Sequence, residues 1–194
     1  MGFNLSNIFA GKATANGNLQ LLSLYDDLPA SVRARWATGV ITKLTSPHMK
    51  TNPTMWKIGS LASSQPIKDM ISIDAANADV IIIAISSFEH RTVELFQWLD
   101  SLPARETKRT FPGLLIGLLG DDEEQSPELD WTVEQLMRCA QQGDRHFIWH
   151  WMAEGAMNNS DWLTESAGKH LTGQLAARED REVARLAFML GGCL

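Results

Sequence analysis

Apolar runs and amphipathic stretches alternate along this chain, and the alternation predicts most of its elements. The first run, LQLLSLYDD, covers Leu19 to Asp27. It is short, apolar and closes on two acids, so it predicts a buried strand. Residues 1–18 before it are mostly small or polar and predict a flexible leader. In LPASVRARWATGVITKLT the large apolar residues Val32, Trp36, Val40 and Leu44 recur every four positions. That spacing predicts one helical stripe facing the core, with Pro29 in a first turn that tolerates it. After the Asn52-Pro53 break, TMWKIGSL predicts a second, weaker strand. In SSQPIKDMISIDAANA, Ile67, Met70, Ile71 and Ala75 share one helical face, and Ser64 is the expected cap.

The clearest passage is ADVIIIAISSFEHRTVELFQWLDSL, Ala78 to Leu102. It predicts a third strand over Asp79–Ser86 and a helix over about Thr92–Leu102, with Thr92, Phe96 and Leu99 on one face. GLLIGLLG, Gly113 to Gly120, predicts the fourth strand. SPELDWTVEQLMRCAQQ predicts a helix with Ser126 as cap, Pro127 first, and acids where the helix dipole favours them. RHFIWHWM alternates Phe147, Trp149 and Trp151 against His146, Ile148 and His150. Uninterrupted apolar runs belong at the centre of a parallel sheet, so this alternation predicts an edge or half-covered fifth strand. Residues 153–194 are helical by composition and carry a short stripe of Val183, Leu186, Ala187 and Leu190; they predict a helical extension packed on the same domain.

Five strands alternating with helices predict parallel pairing through right-handed crossovers. The expected architecture is α/β: a three-layer sandwich around a doubly wound five-stranded sheet in the order 2-1-3-4-5, over residues 19–152. In such a sheet any ligand binds outside the carboxyl ends of strands one and three, where the strand order reverses.

Composition narrows the function classes. The chain has 194 residues, 44% hydrophobic and 21% charged, with a net charge of -6. That is globular composition without the basic face of a nucleic-acid binder. No apolar run approaches the ~20 residues that span a bilayer. Cys139 and Cys193 form no CxxC pair, so neither a disulfide nor a zinc framework is expected, and the default setting is reducing and cytoplasmic. MGFNLS fits the loose N-myristoylation pattern at Gly2, but the motif is short and bulky Phe3 adjoins the glycine.

The switch-point rule then selects Asp26 and Asp27 from strand one, and Ser86, Ser87, Glu89, His90 and Arg91 from strand three. Ser86 and Glu89 have capping-box spacing, which predicts a helix cap needing no ligand. His90 and Arg91 put positive or titratable groups in a first turn that prefers acids, so they would hold an anion or pair with Asp26 and Asp27. The adjacent acids Asp26 and Asp27 would cap the next helix or hold Mg²⁺, which takes oxygen ligands. The acid run GDDEEQ reads as a solvated loop. His146 and His150 would stand about 13 Å apart on one strand face, too far for one metal. Ser86 or Ser87 with His90 lies in no GxSxG elbow.

On these residues the chain resembles a two-component receiver domain. LLSLYDD is similar to the receiver's first strand with its Mg²⁺-binding acid pair, so the resemblance gives Asp26 and Asp27 that role. The family's phosphoacceptor Asp ends strand three, where this chain reads IAISSFEH; its Ser/Thr ends strand four, where GLLG has none; its Lys ends strand five, where WHWM has none. The resemblance implies a pseudo-receiver, a signalling or protein-interaction module without phosphotransfer, acting on a protein partner or a second copy of the chain. The layout of Ala78–Leu102 is also similar to that of flavodoxin-like FMN-binding NAD(P)H reductases. There the loop after strand one cradles the flavin phosphate, and here it reads YDDLPAS, with two carboxylates and a proline. A small Mg²⁺-dependent hydrolase using Asp26 or Asp27 is a third reading.

Overall fold

The computed structural model describes residues 17–45, 49–86, 92–102, 113–120 and 127–151. The strands are β1 (Asn18–Tyr25), β2 (Lys50–Lys57), β3 (Val80–Ile85), β4 (Gly113–Leu119) and β5 (Arg145–Trp151). The helices are α1 (Leu28–Thr45), α2 (Gln65–Asn77), α3 (Thr92–Ser101) and α4 (Pro127–Gln142). All four strand pairings are parallel and the order is β2-β1-β3-β4-β5, as the alternation of runs predicts. The leader residues 1–16 and residues 152–194 fall outside the described residues.

Every residue of β3 and β4 is buried. Both faces of these strands are covered, and they read as unbroken apolar runs for that reason. On one face Leu19, Leu21, Ile82 and Ile116 pack with Ala30, Ala34, Ala37 and Ile41 of α1. On the other, Leu22, Leu24, Ile81 and Ile83 pack with Ile71 of α2, Trp98 of α3 and Leu136 of α4. Gly117 lets α4 approach β4: a Cβ there would stand 3.3 Å from Leu136 Cδ1. β5 is the last strand of the sheet, with Phe147 and Trp149 on the face shared with α4 and Ile148 on the other.

Two expectations need correction. Pro53 does not precede the second strand; it lies inside β2, opposite Leu21. Among the described residues β2 pairs only with β1, and an edge strand tolerates a residue without an N–H. The tail of the expected strand, Ile58–Ala62, is instead a 3₁₀ helix that buries Ile58 and Leu61.

The second correction is the core face of α1. Val32 and Leu44 are 42% and 44% exposed, while Ala30, Ala34, Ala37 and Ile41 are fully buried. The strands already fill this layer with leucine and isoleucine, so at interior packing density the helix contributes small side chains. Val32 and Leu44 are displaced to its flanks, while Trp36 and Val40 of the expected stripe pack partly buried against this core. Met70 of α2, also expected inside, is half exposed.

Ser86, which the spacing to Glu89 predicts as a helix cap, makes hydrogen bonds to β1 and α1; residues 87–91, which it would cap, fall outside the described residues. Glu89 and the expected cap Ser126 fall outside the described residues, whereas Ser64 does stand at the N-cap of α2.

A buried polar pair crosses the α1 layer. Thr38 donates its hydroxyl to Ala34 O at 2.8 Å, so Ser23, 3.2 Å away, is the donor to Thr38. Thr38→Val should cost about 1.5 kcal/mol, because it leaves the Ser23 hydroxyl buried without its acceptor. Ser23→Ala added to it should restore most of that loss, as urea-unfolding midpoints will report.

Candidate functional site

The corner between β1 and α1 is a short turn. Tyr25 ends the strand and Leu28 begins the helix, so two residues, Asp26 and Asp27, make the whole connection. Each has a distinct task. Asp27 is the N-cap of α1: its Oδ1 accepts the Ala30 N–H at 2.8 Å and its carbonyl accepts the Ser31 N–H at 3.0 Å. An aspartate suits this place, since it meets orphan donors and faces the positive end of the helix dipole.

Asp26 is buried and points across to β3. Its Oδ1 accepts the Asp27 N–H at 2.8 Å, and its Oδ2 accepts the Ser86 N–H at 2.9 Å. The Asp26 N–H in turn donates to Ala84 O at 3.3 Å. This carboxylate therefore ties the ends of two adjacent strands together at the point where strand order reverses.

Ser86 completes the corner. Its hydroxyl donates to Asp27 Oδ1 at 2.8 Å and accepts a hydrogen bond from Nη2 of Arg33. Arg33 is only 5% exposed. Its guanidinium reaches the crevice from the second turn of α1, with its stem among the small residues of the buried face. Burying a cation is costly unless opposite charge and hydrogen bonds meet it, and here Ser86 accepts from its Nη2.

The structure thus unites three of the sequence-selected residues, Asp26, Asp27 and Ser86, and adds Arg33. Ser87, Glu89, His90 and Arg91 lie outside the described residues. The sequence does carry a signal for Arg33: Ala30, Ala34, Ala37 and Ile41 form their own stripe at helical spacing, and Arg33 adjoins it. The larger side chains of the competing stripe hid it.

The acid pair is already occupied as an acceptor. Each oxygen of Asp26 takes one backbone N–H, and Asp27 Oδ1 takes two donors. Arg33 brings positive charge to the place where the receiver resemblance puts Mg²⁺. Among the described residues no three His, Cys, Asp or Glu side chains cluster as metal ligands, and no helix is long and apolar enough to cross a membrane.

Most N–H groups at this corner are spoken for as well. Those of Asp27, Ala30 and Ser31 donate to Asp26 and Asp27, and Pro29 has none. A phosphate placed here would have to displace carboxylates from the donors it needs. The residues between β1 and α1 therefore do not fit a flavin phosphate.

No family model matches the chain, and no curated protein matches it. Among solved structures it is similar to a short-chain flavodoxin associated with a PDU bacterial microcompartment. The TM-score is 0.50 and the identity 11%, over 80% of this chain and 98% of that one. At this identity the likeness concerns the fold: a flavodoxin-like α/β sandwich.

Proposed function

We propose that the chain is a receiver-like interaction module that keeps the parallel scaffold, does not transfer phosphate, and acts through contacts with a protein partner or a second copy of itself. One observation carries this reading. At the end of β3, where the receiver resemblance expects an attacking carboxylate, Ser86 is locked between Asp27 and Arg33.

Phosphotransfer to a receiver needs a free nucleophile, with Mg²⁺ and a lysine to neutralise developing charge. Here the Ser86 oxygen accepts from a guanidinium, which takes one of its two lone pairs and draws electron density from it, so it is a poorer nucleophile. Asp27 stands within reach of the hydroxyl proton, but it also caps α1. Making it a base would disturb the helix start. The corner reads as a finished structural clamp.

Incubation with acetyl phosphate and Mg²⁺, read by intact mass, tests this. The expected mass is that of the unmodified chain. A phosphoryl adduct that disappears in Ser86→Ala or Asp27→Asn would overturn the reading. Mg²⁺ up to about 10 mM should shift Tm by less than about 1 °C, because a ligand stabilises only in proportion to its occupancy of a folded-state site.

The flavin and Mg²⁺-hydrolase readings have less support. The first meets two carboxylates and few free donors at the β1–α1 corner. The second needs carboxylates facing a ligand, whereas Asp26 faces backbone N–H groups. An unchanged FMN absorbance spectrum on mixing is the expected result for the first.

A further inference from the structure

At the opposite end of the sheet, the last turns of α2, α3 and α4 converge on the first residues of β3 and β4. A cavity of about 400 Å³ opens there, within the range of small-molecule sites. Its floor is apolar: Ile81 of β3, Leu115 of β4 and Leu99 of α3. Its rim carries Asp100 of α3, Cys139 and Gln142 of α4, and Arg145.

The electrostatics of this end follow from the topology. In parallel βαβ units the helices run opposite to the strands, so their carbonyl ends gather where the strands begin. Each helix C-terminus is equivalent to about half a negative charge. None of the three helices has a basic residue in its last turn. Arg145 donates to Ala75 O at 3.2 Å and Ala78 O at 3.1 Å, which answers α2. On the α3–α4 side Asp100 adds a full negative charge.

Cys139 reports the same environment. Burial, and then the Asp100 carboxylate beside it, push its thiol up to about 11. Its Sγ lies 3.9 Å from Asp100 Oδ1 as a donor. At neutral pH it is a protonated, weakly reactive thiol, so thiolate chemistry does not explain the cavity.

We infer that this cavity binds a small organic cation with an apolar body, an aromatic or alkyl amine. Its ammonium group sits against Asp100 and the carbonyl ends of α3 and α4. Its body lies on Ile81, Leu99 and Leu115. An anion would meet Asp100 and the helix carbonyl ends, with the rim cation Arg145 already donating to Ala75 O and Ala78 O, and a neutral molecule would gain only the apolar contact. The site is separate from the Asp26–Ser86 crevice and stands or falls without it.

The probe is 2-phenylethylamine, with 2-phenylethanol and 3-phenylpropionate as neutral and anionic isosteres, titrated into the full chain by calorimetry. The amine should bind at least about tenfold more tightly than the alcohol, a difference of about 1.4 kcal/mol, and the propionate should not bind. Asp100 is exposed, so Asp100→Asn should fold normally. It should cost the amine most of that preference and leave the alcohol unchanged. Ala76 is half-buried on the rim, and Ala76→Trp should abolish binding of the amine and the alcohol while circular dichroism stays native.

Equal binding of amine and alcohol, or a preference that survives Asp100→Asn, would show that charge does not select the ligand and would sink the proposal. Failure of the folded chain to bind the amine would sink it as well. A variant with Arg105→Ala, Lys108→Ala and Arg109→Ala tests whether the chain's own cations take the place. Binding seen only in that variant assigns the cavity to those residues and overturns the ligand reading.

Discussion

Asp26→Ala should lower the stability of the fold by about 4 kcal/mol, because it strands two backbone N–H groups at a buried corner. The Asp27 and Ser86 N–H groups both donate to this carboxylate, and together they set where β1 turns into α1 and where β3 ends. Each orphaned donor costs about 1–3 kcal/mol, and the loss of charge-assisted bonds lies at the strong end of that range. Asp26→Asn keeps one acceptor oxygen but puts an amide against the other donor, so it should cost about half as much. Urea unfolding followed by tryptophan fluorescence measures both. An Asp26→Ala midpoint within error of the native one would mean that the corner is held by other contacts.

The second large effect is expected at Trp98. Its ring is fully buried in the layer shared by α2, α3 and α4, and its indole N–H donates to Ser72 Oγ at 2.9 Å. Trp98→Ala removes a large apolar surface and leaves a void that the rigid sheet beneath cannot close, at a cost of about 4 kcal/mol. Trp98→Phe fills most of the space and forfeits the hydrogen bond, so about 2 kcal/mol is expected. Ser72→Ala should cost much less in the native background, about 1 kcal/mol, and nothing measurable in Trp98→Phe. That double-mutant cycle separates the bond from the packing. The T-shaped contact of Phe96 with half-exposed Trp131, centroids 5.0 Å apart, lies near the surface of the same layer and should be far less sensitive.

The corner also bears on how the proposed module would be regulated. Asp27 caps α1 and Arg33 projects from it, so α1 is joined to β3 through Ser86. A perturbation of Ser86 would reach the outer side of α1, where Val32 and Leu44 are partly exposed. Under the interaction-module reading, Ser86 variants are therefore expected to alter partner binding before they alter the sheet.

The sheet was legible because periodicity is a strong signal in fully buried parallel strands. β1, β3 and β4 read as apolar runs since both faces are covered, and β5 reads as alternating since it lies at an edge. Alternation with helices then restricts connection and order, which placed Asp26, Asp27 and Ser86 at one crevice before any coordinates. β2 was misplaced because proline is a breaker in general and harmless at an edge, and only strand order tells which case holds.

By itself, the sequence determined the layers, the parallel order and the end of the sheet where β1 and β3 carry their polar groups. These depend on local periodicity and on chain handedness, which every stretch expresses independently. Tertiary structure alone decided which face of α1 is buried, because that depends on how much volume the facing strands leave. It decided that Arg33 enters the crevice, since the hydroxyl that meets its guanidinium belongs to Ser86, 53 positions away in sequence. It also made Ser86 a link between β3 and α1. A hydroxyl bonds the partner that packing brings within about 3 Å, and sequence spacing proposes only the local candidates.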